Sequence, residues 1–129
     1  MNGKPKILIV GDDEPSTMPL RGELEAEGYE VYWVPDGRQA KAKLELADFS
    51  LMIAHSVRLP DGDAANLITE VCRSRATEHP MHIVVITAGD TKSPDFTKKY
   101  TEAGADDIIQ KPYEVDDVLT AVRDFLTVS

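Results

Sequence analysis

Four short unbroken apolar runs punctuate the chain: Ile7 to Val10, Leu51 to Ala54, Ile83 to Ile86, and Ile108-Ile109. Continuous rather than alternating hydrophobicity suits strands buried on both faces, as in a parallel sheet. A fifth run, Tyr29 to Val34, is β-branched and aromatic with partial alternation, as an edge strand would be. Between the runs the period changes to that of a helix. Leu20 and Leu24 share a face behind Pro15-Ser16-Thr17, and Gly28 can close that helix in left-handed geometry. Asp36 caps a second segment carrying Ala40, Leu44 and Ala47. Leu67, Ile68, Val71 and Cys72 stripe a third; Ser93-Pro94 opens a fourth with Phe96, Tyr100 and Ala103 on one side and Gly104 behind it. Val115, Val118, Leu119, Val122 and Leu126 mark a fifth. Pro19 fits only in a first turn, where its missing N–H is not needed. Five strand–helix units predict a (βα)5 α/β fold, a doubly wound five-stranded parallel sheet between two helical layers.

Composition narrows this picture. The 129 residues predict one domain, 1–129, either standing alone or cut from a longer protein. No apolar run approaches the ~20 residues of a membrane span, and the N-terminus does not read as a signal peptide. The single cysteine, Cys72, excludes an internal disulfide and any multi-cysteine metal site, so the expected location is cytoplasmic. With 14 Lys and Arg against 23 Asp and Glu, the net charge is −9, which argues against binding a nucleic-acid backbone.

Ligands of open α/β sheets bind beyond the carboxyl ends of the strands, so the residues after each run are the candidates. Gly11, Asp12, Asp13 and Glu14 follow the first run, and His55 to Asp63 the second of the four. Thr87-Ala88 and Gln110-Lys111-Pro112-Tyr113 follow the others. An acidic first loop disfavours a nucleotide or flavin phosphate, whereas carboxylates facing a lysine and a threonine suit Mg²⁺ and a phosphoryl group. In these features the sequence resembles the receiver domain of bacterial two-component response regulators, end to end from Lys6 to Leu126. The markers are Lys6-Ile-Leu-Ile-Val10 followed by acids, Glu27-Gly-Tyr-Glu-Val31, Asp36-Gly37, Arg58-Leu-Pro-Asp-Gly-Asp63, Ile86-Thr-Ala88, Gly104-Ala-Asp-Asp107 and Lys111-Pro112. The resemblance implies a flavodoxin-like three-layer sandwich and a cis Lys111–Pro112 bond. It also implies a phosphoaccepting aspartate at the end of the third strand, Mg²⁺ held by acids after the first strand, and a hydroxyl and an aromatic that report the charge.

Against that pattern the sequence departs in three places. The phosphoacceptor position, four residues before Pro60, holds Ser56, a poor nucleophile without a base beside it. His55 is adjacent, but strand neighbours face opposite sides, so the expected role of His55 is structural. The acid pair is reduced, in the ungapped register, to Gly11 and Asp12, with Asp13 entering only if the register slips by one. The switch aromatic is replaced by Ile108, and Ala64 stands where the family has glycine. Asp12, Thr87, Lys111 and Pro112 are retained. In this register an Asp12–Lys111 ion pair is neutral and has no need to recruit a divalent cation.

The expected function is therefore an atypical receiver, or pseudo-receiver, in two-component or phosphorelay signalling. It is expected to be non-enzymatic, to act through protein–protein contacts without aspartyl phosphorylation, and to need no cofactor, with Asp12 the one candidate metal ligand. Its expected partners are a kinase, an output domain or a second copy, with no nucleic-acid contact and no membrane insertion. The expected partner face comprises the fourth helix, fifth strand and fifth helix, including Phe96, Lys98, Lys99, Tyr100 and Tyr113. Two alternatives stay open: a conventional Mg²⁺-dependent phosphoacceptor in a shifted register, using an aspartate such as Asp61, and a small flavodoxin-like enzyme or cofactor carrier.

Overall fold

A computed structural model describes residues 4–74 and 81–127. Five strands form one parallel sheet: β1 (Lys6–Val10), β2 (Glu30–Val34), β3 (Leu51–Ala54), β6 (His82–Thr87) and β7 (Asp107–Gln110). Their order is β2-β1-β3-β6-β7, so the sequence reverses direction across β1 and β3. Five helices cross between them: α1 (Glu14–Ala26), α2 (Gly37–Leu46), α3 (Ala64–Ser74), α4 (Pro94–Ala103) and α5 (Val115–Thr127). This is the doubly wound α/β architecture expected from the alternating periods, and the flavodoxin-like sandwich that the resemblance implies.

The unbroken apolar runs are explained by two cores sharing one sheet. Leu8, Val10, Met52, Ala54, Ile83 and Val85 point to one face, against Ala40 and Leu44 of α2, Leu67, Ile68 and Val71 of α3, and Tyr100 of α4. Ile7, Ile9, Leu51, Ile53, Val84 and Ile86 point to the other, against Leu20 and Leu24 of α1 and Val118, Leu119 and Val122 of α5. Each of the Val, Leu, Ile and Met side chains contributes about 1.5–3 kcal/mol on burial, and alternation of strand side chains requires apolar residues at every position.

Local chemistry sets the helix ends. The Asp36 carboxylate accepts from the Gln39 N–H at 2.8 Å, and Ser93 caps α4 through the Phe96 N–H at 3.4 Å. Gly104 ends α4 at φ 131°, pressed so closely on Cys72 that a side chain there would meet the sulfur. Pro19 differs from expectation. Because α1 begins at Glu14, with Pro15 in its first turn, Pro19 falls inside the helix, on the exposed side.

A further departure is a small antiparallel hairpin between β3 and α3. Its strands, β4 (Arg58–Leu59) and β5 (Gly62–Asp63), pair Arg58 with Asp63 and Leu59 with Gly62 around Pro60-Asp61. Gly62, at φ 145°, supplies the backbone geometry that the tight reversal needs. The hairpin stands at the carboxyl end of the sheet, where the candidate residues converge. The Lys111–Pro112 bond is cis.

Candidate functional site

Pairing of β1 with β3 continues one residue beyond the regular strand. The His55 N–H donates to the Val10 carbonyl at 2.8 Å, which brings His55 beside Gly11. A Cβ built on Gly11 would lie 3.3 Å from the His55 Cβ, so these two positions share a face. That face is the one presented by Leu51 and Ile53. Gly11 is fixed from the other side as well: its N–H donates to Val34, and its carbonyl accepts from the Trp33 indole at 2.9 Å.

His55 is 4% exposed. Its Nε2 lies 2.7 Å from the Tyr113 hydroxyl, the two rings meeting edge to face. Burial, and then the Lys111 ammonium, push its pKa down to about 4, with Asp13 opposing. At neutral pH it is an uncharged imidazole sharing a hydrogen bond with a phenol whose own pKa burial raises.

Lys111 is half-buried, and burial depresses its pKa against the opposing charges of Asp13 and then Asp12. Among the described residues no ion pair joins Lys111 to Asp12, contrary to the neutral pair expected from spacing. Asp13 belongs to this environment even without a register slip. It sits at the N-cap position of α1 without capping a backbone N–H, and its Oδ2 instead accepts from the Ser16 hydroxyl at 2.5 Å.

Ser56 is turned away from this group. Its hydroxyl donates to the Arg58 carbonyl and its oxygen accepts from the Arg58 N–H, both at 3.2 Å, closing the entry to the hairpin. Ser56 and His55 therefore do not form a nucleophile–base pair. Thr87 is buried and accepts from the Gly89 N–H at 2.9 Å, while its carbonyl receives the Lys111 N–H. Ile108 is half-buried against the α2–α3–α4 core. Pro112 is exposed.

The expected partner face is largely occupied internally. Tyr100 is 1% exposed, Phe96 packs against it, and Tyr113 is committed to His55. Lys99 donates to Asp63 at 2.9 Å. Phe96 and Tyr100 follow the buried stripe of α4, and the exposed positions of that helix are Pro94, Asp95, Lys98, Lys99, Thr101 and Glu102. Trp33 and the His55–Tyr113 bond were missed by sequence reasoning; strand alternation, which sets Trp33 with Ile9 and His55 with Ile53, is the signal that finds them.

The oxygen donors beside His55 and Lys111 are the exposed carboxylates of Asp12 and Asp13, on consecutive residues, and these are the side chains that would hold a hard cation here. Among the described residues no three His, Cys, Asp or Glu side chains lie together as a potential metal-ligand group. Nor is any helix among them long and apolar enough to cross a membrane.

Comparison with known proteins agrees with the fold. The curated response regulator MprA of Mycolicibacterium vanbaalenii is 34% identical over 122 residues, 94% of this chain and 50% of the relative, so the chain spans about half that protein's length. The CheY-like receiver domain protein of Methanospirillum hungatei superposes with a TM-score of 0.86 at 29% identity, over 97% of this chain and 95% of that one. A two-component response regulator from Clostridium difficile, at 22% identity and a TM-score of 0.87, covers 97% of this chain and 98% of its own, a likeness of fold. The model of the response regulator receiver domain matches residues 7–123, most of the chain: the chain belongs to the response regulator receiver domain family.

Proposed function

We propose that this receiver is atypical, a pseudo-receiver that signals through protein–protein contacts without forming an aspartyl phosphate. The observation that carries this reading is His55. At the end of β3, on the face shared with Gly11, the chain presents a buried neutral imidazole bonded to Tyr113 rather than a carboxylate. His55, rather than Ser56, is on this view the occupant of the acceptor place. An acyl phosphate needs a carboxylate nucleophile there, and neither His55 nor Ser56 supplies one.

The nearby aspartates do not substitute. Asp61 accepts from the Gly37 and Arg38 N–H groups at 2.9 and 2.8 Å, and Asp63 caps Ala65 and receives Lys99. The conventional alternative is favoured by one observation, that Asp12 and Asp13 both act on Lys111. It lacks an acceptor for them to serve. Family membership supports a kinase or an output domain as partner, and a second copy of the chain is the third candidate.

Acetyl phosphate with Mg²⁺ tests the reading. The expected result is no acid-stable, base-labile phosphoryl group on any aspartate, by intact mass after quenching. Stoichiometric labelling of an aspartate would overturn it.

A further inference from the structure

A hollow of about 520 Å³, open to solvent, lies between the β4–β5 hairpin and α4. The hairpin side supplies Val57, Arg58 and Leu59, and the helix side Phe96, Lys99 and Tyr100. The volume falls within the ~300–1,000 Å³ of small-molecule sites. The half-buried Phe96 ring gives it one aromatic side, backed by the buried Tyr100 at a centroid distance of 5.2 Å.

Its charge runs against that of the molecule. Lys99 is matched by Asp63, whose Oδ2 takes the Lys99 ammonium at 2.9 Å and the Tyr100 hydroxyl at 3.3 Å, and whose Oδ1 caps the Ala65 N–H at 2.8 Å. Arg58 is exposed at the mouth, and its guanidinium has no ion pair among the described residues. The lining therefore carries one excess positive charge on a chain of net −9. A planar guanidinium is suited to gripping a phosphate or carboxylate through two parallel hydrogen bonds.

We propose that this hollow binds a small organic anion with a flat apolar body, its anionic group on Arg58 and its body against Phe96. Such a ligand spans the loop after β3 and the start of the α4 face, and so offers an input that does not depend on an attached phosphate. The inference stands independently of whether an aspartate is phosphorylated.

Isotope-labelled full chain titrated with 1-naphthyl phosphate provides the test, read by backbone amide shifts. Saturable shifts are expected at Val57, Leu59, Phe96 and Tyr100. Arg58→Gln should weaken binding about tenfold or more, through loss of a charge-assisted pair. Asp63→Asn should tighten it several-fold by releasing Lys99. The uncharged 1-naphthol and plain inorganic phosphate should each bind at least about tenfold more weakly. Shifts centred elsewhere, no saturation at millimolar ligand, equal binding of either control, or indifference to Arg58→Gln would each overturn the proposal.

Discussion

A histidine buried at the end of a central strand must shed its proton or find a counter-charge, and the Lys111 ammonium acts against the charged form of His55. Its depressed pKa has a consequence for stability. The unfolded chain takes up a proton below about pH 6.5, whereas the folded chain resists until about pH 4. The contribution is fully present above pH 6.5 and is lost as pH falls toward 4, on the order of 3 kcal/mol in all. Urea titrations over that range should show this slope, and His55→Gln should reduce it; an unchanged slope would place the titration elsewhere. Tyr113→Phe removes the hydroxyl partner of a buried ring nitrogen and should cost about 1–3 kcal/mol, measured at neutral pH.

The same residue supplies a sharper test of register. If His55 holds the acceptor place, the pair Gly11→Asp with His55→Asp should regain labelling by acetyl phosphate more fully than Gly11→Asp with Ser56→Asp. The added Cβ at Gly11 must displace its neighbour by a few tenths of an ångström, a tolerable adjustment at a strand end. Spacing from Pro60 gives Ser56, whereas the proposed reading takes His55 from its pairing with β1. The β1–β3 hydrogen bond at His55 measures the strand itself, and that non-local pairing is invisible in a one-dimensional pattern.

Among elements, the β4–β5 hairpin is held by two carboxylates working in opposite directions. Asp61 reaches the start of α2, where the Gly37 and then the Arg38 N–H hold its pKa low, and Asp63 reaches α4. A carboxylate with a depressed folded-state pKa stabilises above its ordinary value, near 3.8, and that contribution disappears as pH falls below it. Asp61→Ala should cost roughly 1–2 kcal/mol, the range of lost helix caps, and accelerate amide exchange at Gly37 and Arg38. If those two amides exchange as before, the hairpin is held by something else. In the loop that leads into α4, a Cβ at Gly89 would fall 2.3 Å from the Phe96 ring. Gly89→Ala should therefore destabilise by about 1–3 kcal/mol through overpacking, and Phe96→Leu in the same chain should recover part of the loss in a thermal melt.

For the whole molecule, the legible part was the part that repeats. Apolar runs, 3.6-residue stripes, the Asp36 and Ser93 caps and the glycine stops at 28 and 104 are each local signals, and together they yield the sheet and its two cores. What local signals do not encode is which side chains meet across the top of the sheet: Trp33 over Gly11, Tyr113 on His55, Asp61 on α2. Net charge belongs to this scale too, and it yields a last expectation. The ion pairs among the described residues are mostly exposed, as Lys98–Glu102 is, and are worth about 0–1 kcal/mol each. Against them stands the self-repulsion of nine excess negative charges, which acts over the whole surface and is screened within about 10 Å at 0.1 M salt. Raising NaCl from about 0.02 to about 0.3 M at neutral pH should therefore raise the melting temperature, because screening relieves the long-range repulsion more than it weakens the scattered pairs. A fall in melting temperature over that range would mean that the pairs, Lys99–Asp63 foremost, carry more of the stability than their exposure suggests.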